Sequence, residues 1–107
     1  MSETSFSLHA EQTLEGLLER MSEIDALADL DMDIIDGVLT LEFDNGGTVI
    51  LNRQEAASQI WLASPEGPAH FGYDADQDEW LNDRTGETLT DTLNRVLSAG
   101  CGEPIGL

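Results

Sequence analysis

The stretch Leu30-Asp31-Met32-Asp33-Ile34-Ile35-Asp36-Gly37-Val38-Leu39-Thr40-Leu41-Glu42-Phe43 decides how the chain folds. Leu30, Met32 and Ile34 alternate with Asp31 and Asp33, and Leu39, Leu41 and Phe43 alternate with Thr40 and Glu42. That is the period of strands with one wet face. Between the two runs stands Asp36-Gly37, a strong two-residue hairpin signal, because both residue types tolerate positive φ. The segment therefore predicts two paired antiparallel strands. Downstream, Asp44-Asn45-Gly46-Gly47 supplies a second turn, and Thr48 to Asn52 a third strand, completing a meander.

Upstream, Phe6, Ala10, Leu14, Leu17, Met21 and Ile24 recur at spacings of three and four, which predicts a helix from about Ser5 to Ile24 with one apolar face. Ser2, Thr4 and Ser5 are all suitable N-caps. Leu8 falls on the polar side, and residues 25–29 show no clear period. Beyond the third strand, Arg53 to Ser58 reads as a polar connection. Residues 59–63 then alternate, with Ile60 and Leu62 inward and Trp61 outward. A turn at Pro65-Glu66-Gly67-Pro68 leads to a strand over 69–73, and a turn over 74–78 to a short strand over 79–82, where Trp80 is assigned to the core. A second helix is expected from about Thr88 to Ser98. Leu89, Leu93, Val96 and Leu97 share one face there, with Thr88 as cap and Gly100 as stop, before an irregular tail. The order is helix, about six antiparallel strands, helix. Both helices can bury their apolar stripes only by packing on one sheet face, so the expected fold is an α+β two-layer sandwich, a single domain over residues 1–107. The other face is left to solvent or partners.

Charge limits the partners. The chain carries 22 acidic residues against 4 basic ones, a formal charge of -18, and the basic residues are all arginine. Nucleic acid and anionic membranes need a positive footprint and are excluded; cations and basic protein surfaces are favoured. Such acidity also suits a salt-adapted organism. Cys101 is the one cysteine, so no intrachain disulfide can form. Neither a signal sequence nor an apolar run of membrane-spanning length occurs, so a cytoplasmic protein is expected.

The acids are concentrated. Glu11, Glu15, Glu19, Glu23, Asp25, Asp29, Asp31 and Asp33 follow one another with Arg20 as the single basic residue among them. The four glutamates form one drifting helical stripe, and Asp29, Asp31 and Asp33 share one strand face. Like charges at i and i+4 cost about 0.2–0.5 kcal/mol per pair, and Glu19 and Glu23 sit near the helix end that prefers cations. Carboxylate oxygens in such an array suit hard cations such as iron, manganese, calcium or magnesium. Helix neighbours about 6 Å apart and same-face strand residues roughly 7 Å apart are too distant for tight chelation by more than two or three groups. Shallow, hydrated, weak sites are expected. The bland alternative is a solvated acidic face.

An enzyme is not expected. His9 and His70 are the only histidines, and no nucleophile elbow, zinc-protease motif or phosphate loop occurs. Trp61 points instead to a docking surface: an outward tryptophan beside Asn52, Gln54 and Gln59 combines apolar area with hydrogen-bonding groups.

Asn52-Arg53-Gln54, Gln59-Ile60-Trp61-Leu62-Ala63, Asp78-Glu79-Trp80 and Asp83-Arg84-Thr85-Gly86-Glu87, preceded by Asp36-Gly37-Val38-Leu39-Thr40, resemble the frataxin family in order and spacing over nearly the whole chain. The resemblance implies an acidic protein of iron–sulfur cluster assembly that binds ferrous and ferric iron weakly. It also implies docking on the cysteine desulfurase and iron–sulfur scaffold protein, as iron donor or regulator. The family's iron sites on the first helix and first strand edge carry over to Glu19, Glu23, Asp25, Asp29, Asp31 and Asp33, with Glu11 and Glu15 added by the stripe alone. The same ridge is similar to the surface that meets the basic desulfurase, and Asn52, Gln54, Gln59 and Trp61 resemble the surface turned to the assembly machinery. Leu18 and Ser22 stand where bacterial relatives often pair acids, which thins the ridge. A monomer, or a metal-dependent oligomer, is expected. The competing expectation is an acidic protein-binding inhibitor that acts by electrostatics, with incidental cation uptake.

Overall fold

Six strands lie side by side in the order they follow in sequence, each antiparallel to its neighbours. The computed structural model of the chain describes residues 3–28, 30–44 and 46–107, with side chains from Phe6 onward. Its elements are α1 (Glu3–Ser22), α2 (Asp25–Ala28), β1 (Asp31–Ile35), β2 (Val38–Glu42), β3 (Thr48–Gln54), β4 (Gln59–Ser64), β5 (Gly67–Asp74), β6 (Glu79–Asn82) and α3 (Leu89–Cys101), with a 3-10 turn over Glu55–Ala57. This is the two-layer α+β sandwich expected, with both long helices on one sheet face.

The periodicities explain the layers. Phe6, Ala10, Leu14, Leu17 and Met21 of α1 are buried with Leu89, Leu93, Val96 and Leu97 of α3, against Leu39, Leu41, Val49, Leu51, Ile60, Leu62, Phe71 and Trp80 of the sheet. Burying each large aliphatic side chain stabilises by about 1.5–3 kcal/mol, so the apolar stripes set which sheet face the helices cover. Leu8 is exposed, as its place on the helical wheel predicts. The Asp36-Gly37 turn forms as expected: φ is 52° and 77° at its two residues, and Ile35 pairs with Val38.

Several boundaries move. The first helix ends at Ser22, and the segment without a period holds a single helical turn, α2, anchored by the fully buried Leu27. Four residues are too few to display a helical period. Thr4 and Ser5 lie within α1, and Ser2 falls outside the described residues. The third strand runs on to Gln54, part of the polar connection is the 3-10 turn, and β5 begins at Gly67, so that Ser64 pairs with Gly67 around a two-residue loop. Thr88 caps α3, its hydroxyl accepting from the Asp91 amide at 3.1 Å. Gly100 does not stop α3. It lies inside the helix, where an added Cβ would come 2.3 Å from the Phe43 ring; the missing side chain serves packing. Gly102, at φ 72°, ends the helix. The tail turns back along α3, with the Ile105 amide donating to Ser98 Oγ and the Leu107 amide to Asn94 Oδ1, both at 2.8 Å.

Candidate metal-binding edge and docking face

β1 is an edge strand, and α1 packs against it and against β3. Glu11, Glu15 and Glu19 are exposed along α1; Glu23 is exposed in the turn after it, and Asp25 at the start of α2. Asp29 falls outside the described residues. Met32 and Ile34 pack on the core, so the alternation turns Asp31 and Asp33 to the uncovered sheet face. The described acids therefore wrap around the β1 edge, with Glu11, Glu15 and Glu19 on the helix side and Asp31 and Asp33 on the other, and do not share one plane.

Their surroundings differ in detail. The Glu11 carboxylate is ion-paired with Arg53, whose Nε also lies 3.6 Å from Glu55. Arg53 reaches α1 by passing over the hairpin, where a Cβ on Gly37 would come within 2.8 Å of its Nε. Glu11 is thus already neutralised. Glu15 and Glu11 line a cavity of about 240 Å³ with Leu14, Ile34, Asp36 and Gly37, which adds the Asp36 carboxylate to the edge. Asp33 accepts from the Ile34 amide at 2.8 Å. Asp31 stands directly opposite Glu42 in the β1–β2 register. Like charges so placed repel, and their Cβ atoms lie about 5 Å apart, close enough for two carboxylates to share one hydrated cation. Glu42 and Asp36 were not among the residues read from sequence as ligands. Glu42 could have been found by carrying the hairpin register out from Asp36-Gly37; Asp36 was absorbed by its role as a turn former.

Among the described residues, no three histidine, cysteine, aspartate or glutamate side chains converge on a common point. The edge suits weak, water-bridged uptake of a hard cation by one or two carboxylates at a time. His9 is not available to it: its ring lies 4.2 Å from Tyr73 and 5.2 Å from Trp80. Cys101 ends α3, and burial, helped by Glu103 and Asp44, pushes its thiol up, away from the ligating thiolate.

The uncovered face carries the second surface. Asn52 pairs with Trp61 and Gln54 with Gln59 across β3–β4, and Trp61 pairs with His70 across β4–β5. Gln54 donates to Asn52, and the Trp61 indole N–H donates to Gln59 Oε1 at 2.9 Å. The four residues expected at a docking surface thus form one patch. Trp61 is half-buried, because His70 stacks on it with ring centroids 4.3 Å apart and planes 17° apart. Trp80 is in the core as expected, its indole donating to Thr13 at 3.1 Å. His70 and Asp83 were missed as patch members; the β4–β5 register that brings His70 under Trp61 depends on a loop whose length was misread.

A frataxin-like domain model matches residues 1–103. The chain belongs to the frataxin family. It is 88% identical over 107 residues to the iron-sulfur cluster assembly protein CyaY of Thioalkalivibrio sulfidiphilus, covering 100% of both chains. Frataxin from Psychromonas ingrahamii superposes on this frataxin-family chain with a TM-score of 0.84 at 30% identity, covering 99% of this chain and 97% of that one. A trimeric frataxin from the yeast Saccharomyces cerevisiae, crystallised in complex with ferrous iron, gives a TM-score of 0.76 at 34% identity, over 96% of this chain and 88% of that one.

Proposed function

We propose that this chain is a non-enzymatic, cytoplasmic protein of iron–sulfur cluster assembly, one domain over residues 1–107, which takes iron as weakly held cargo at the β1 edge. It docks through the Trp61 face and the acidic ridge onto the cysteine desulfurase and its scaffold protein, as donor or regulator. The observation that carries this reading is the run of exposed carboxylates around β1, of which Glu15, Glu19, Glu23, Asp25 and Asp31 have no cationic side chain paired to them among the described residues. Such groups keep their charge for a cation or a basic partner. Family membership and the name of the 88% identical relative support the assignment to cluster assembly, and the ferrous complex of the yeast frataxin supports iron as the cargo. The protein is monomeric in this reading, with oligomers formed only in the presence of metal.

Anaerobic titration with Fe²⁺, followed by amide NMR, tests the site. Signals from about Glu15 to Asp33 and from Glu42 broaden first; even broadening over the whole surface would sink the assignment. The second reading, an electrostatic inhibitor of the desulfurase with incidental cation uptake, is favoured by the lack of convergent ligands among the described residues. The double substitution Glu19→Lys, Asp31→Lys tests the ridge in both readings: desulfurase binding unchanged by it, with or without iron, would argue against ridge docking in either. Comparing Fe²⁺ uptake with desulfurase inhibition in the wild type separates the two.

A further inference from the structure

Trp61 is held by a closed ring of contacts that the family's motif does not account for. Its indole N–H donates to Gln59 Oε1 at 2.9 Å, Gln59 Nε2 donates to Asp83 Oδ2 at 3.2 Å, and the same Asp83 oxygen lies 3.9 Å from His70 Nδ1. His70 closes the ring by stacking on the Trp61 indole at 4.3 Å. The ring spans β4, β5 and the turn after β6, so three segments distant in sequence fix one side chain.

One contact in it is incomplete. A separation of 3.9 Å is within ion-pair reach but longer than a hydrogen bond, and Nδ1 must carry a proton to donate to a carboxylate. Histidine is the side chain that gains a second proton near neutral pH. Imidazolium attracts both the Asp83 carboxylate and the face of the indole, so protonation tightens two sides of the ring together. The charged groups facing His70 are Asp83 and Arg84 of the turn after β6, which line a cavity of about 230 Å³ with it; Trp61 and Gln59 of β4 are neutral, and Asp74 lies two same-face positions along β5. Asp83 is near enough for direct contact.

We propose that His70, Asp83 and Gln59 are positioning residues that clamp the Trp61 indole on the open sheet face, and that the clamp tightens when His70 takes its second proton. The consequence for docking rests on the partner surface proposed above, but the clamp itself is read without a partner, so the two fail separately.

The test follows the two indole N–H signals by NMR from pH 8 to pH 5, with Trp61→Phe for assignment. The Trp61 signal shifts in one step and exchanges more slowly with solvent, relative to a free indole at the same pH, on the acid side of that step. The Trp80 signal stays hydrogen-bonded throughout and reports the fold, and any histidine effect on it comes from His9. His70→Phe keeps the stack and abolishes the Trp61 step. Asp83→Asn keeps an acceptor for Gln59 but removes the carboxylate charge that faces the imidazolium, so the Trp61 step shrinks. A Trp61 signal indifferent to pH, a step that survives His70→Phe, or a step of undiminished size in Asp83→Asn overturns the clamp.

Discussion

At the α3 end of the molecule, Glu66 and Glu87 both reach the Arg95 guanidinium, and Thr92 donates to Glu87 at 2.7 Å. At the α1 and β1 end, among the described residues, Glu15, Glu19, Glu23, Asp25 and Asp31 meet no cation and Arg20, exposed in their midst, forms no ion pair. Among the described residues, two of the four arginines, Arg53 and Arg95, form ion pairs that tie elements together, and Glu11 is the one carboxylate of the α1 and β1 edge that they balance. Repulsion that would be costly in a packed region is tolerated on the surface, where water reduces each 6 Å pair to about 0.7 kcal/mol. The contrast separates carboxylates that serve the fold from those available to something outside it.

The α3 end should therefore lose stability when altered. Gly100→Ala drives a methyl group into the Phe43 ring, whose Cζ lies 2.3 Å from the added carbon, and forcing atoms into a packed core costs about 1–3 kcal/mol. Urea denaturation should show a lower midpoint with an unchanged slope. Arg95→Ala is a milder change. It removes exposed pairs that solvent screens, each worth about 0.2–1 kcal/mol, and the loss should shrink in high salt. The pH dependence follows from Glu87, whose carboxyl is held below its ordinary value of 4.5 by Arg95 and then by Thr92. A depressed carboxyl stabilises fully above its unfolded value and loses that contribution as pH falls through the folded one. Between pH 5 and pH 3 the wild type should lose more stability than Glu87→Gln, as measured by thermal melts.

The comparison also explains what could be read in advance. Apolar spacing is a local property, so Phe6 to Met21 and Leu89 to Leu97 revealed both helices, and Asp36-Gly37 revealed the hairpin, because positive φ selects few residue types. Gly100 misled because a glycine near a helix end has two physical uses, stopping the helix or admitting a neighbour, and the Phe43 ring that decides between them lies 57 positions away. The carboxylates were visible as composition. Their division between the two sides of β1 needed only the alternation of Met32 and Ile34 with Asp31 and Asp33, whereas the Asp31–Glu42 pairing needed the register, and the Glu11–Arg53 pair needed α1 placed over β3. The Trp61–His70 stack was out of reach for the same reason: the β4–β5 register depends on the length of the loop between Ser64 and Gly67, and sequence patterns define loop lengths least well.

The smallest effect tests the edge most directly. Asp31 and Glu42 face each other across β1 and β2, so Asp31→Asn removes a repulsion and should raise stability by about 0.2–1 kcal/mol at low ionic strength, the opposite sign to every change at the α3 end. The screening length falls from about 10 Å at 0.1 M salt to about 3 Å at 1 M, below the spacing of this pair, so the gain should fade as sodium chloride is added over that range. A divalent cation discriminates further. If the pair takes up cargo, Mn²⁺ or anaerobic Fe²⁺ at matched ionic strength should raise the melting temperature of the wild type more than that of Asp31→Asn, since a ligand stabilises only in proportion to its affinity for the folded state. Equal shifts in both proteins would place the cation elsewhere on the acidic surface. An Asp31→Asn protein less stable than wild type would mean that this carboxylate, like those around Arg95, serves the fold.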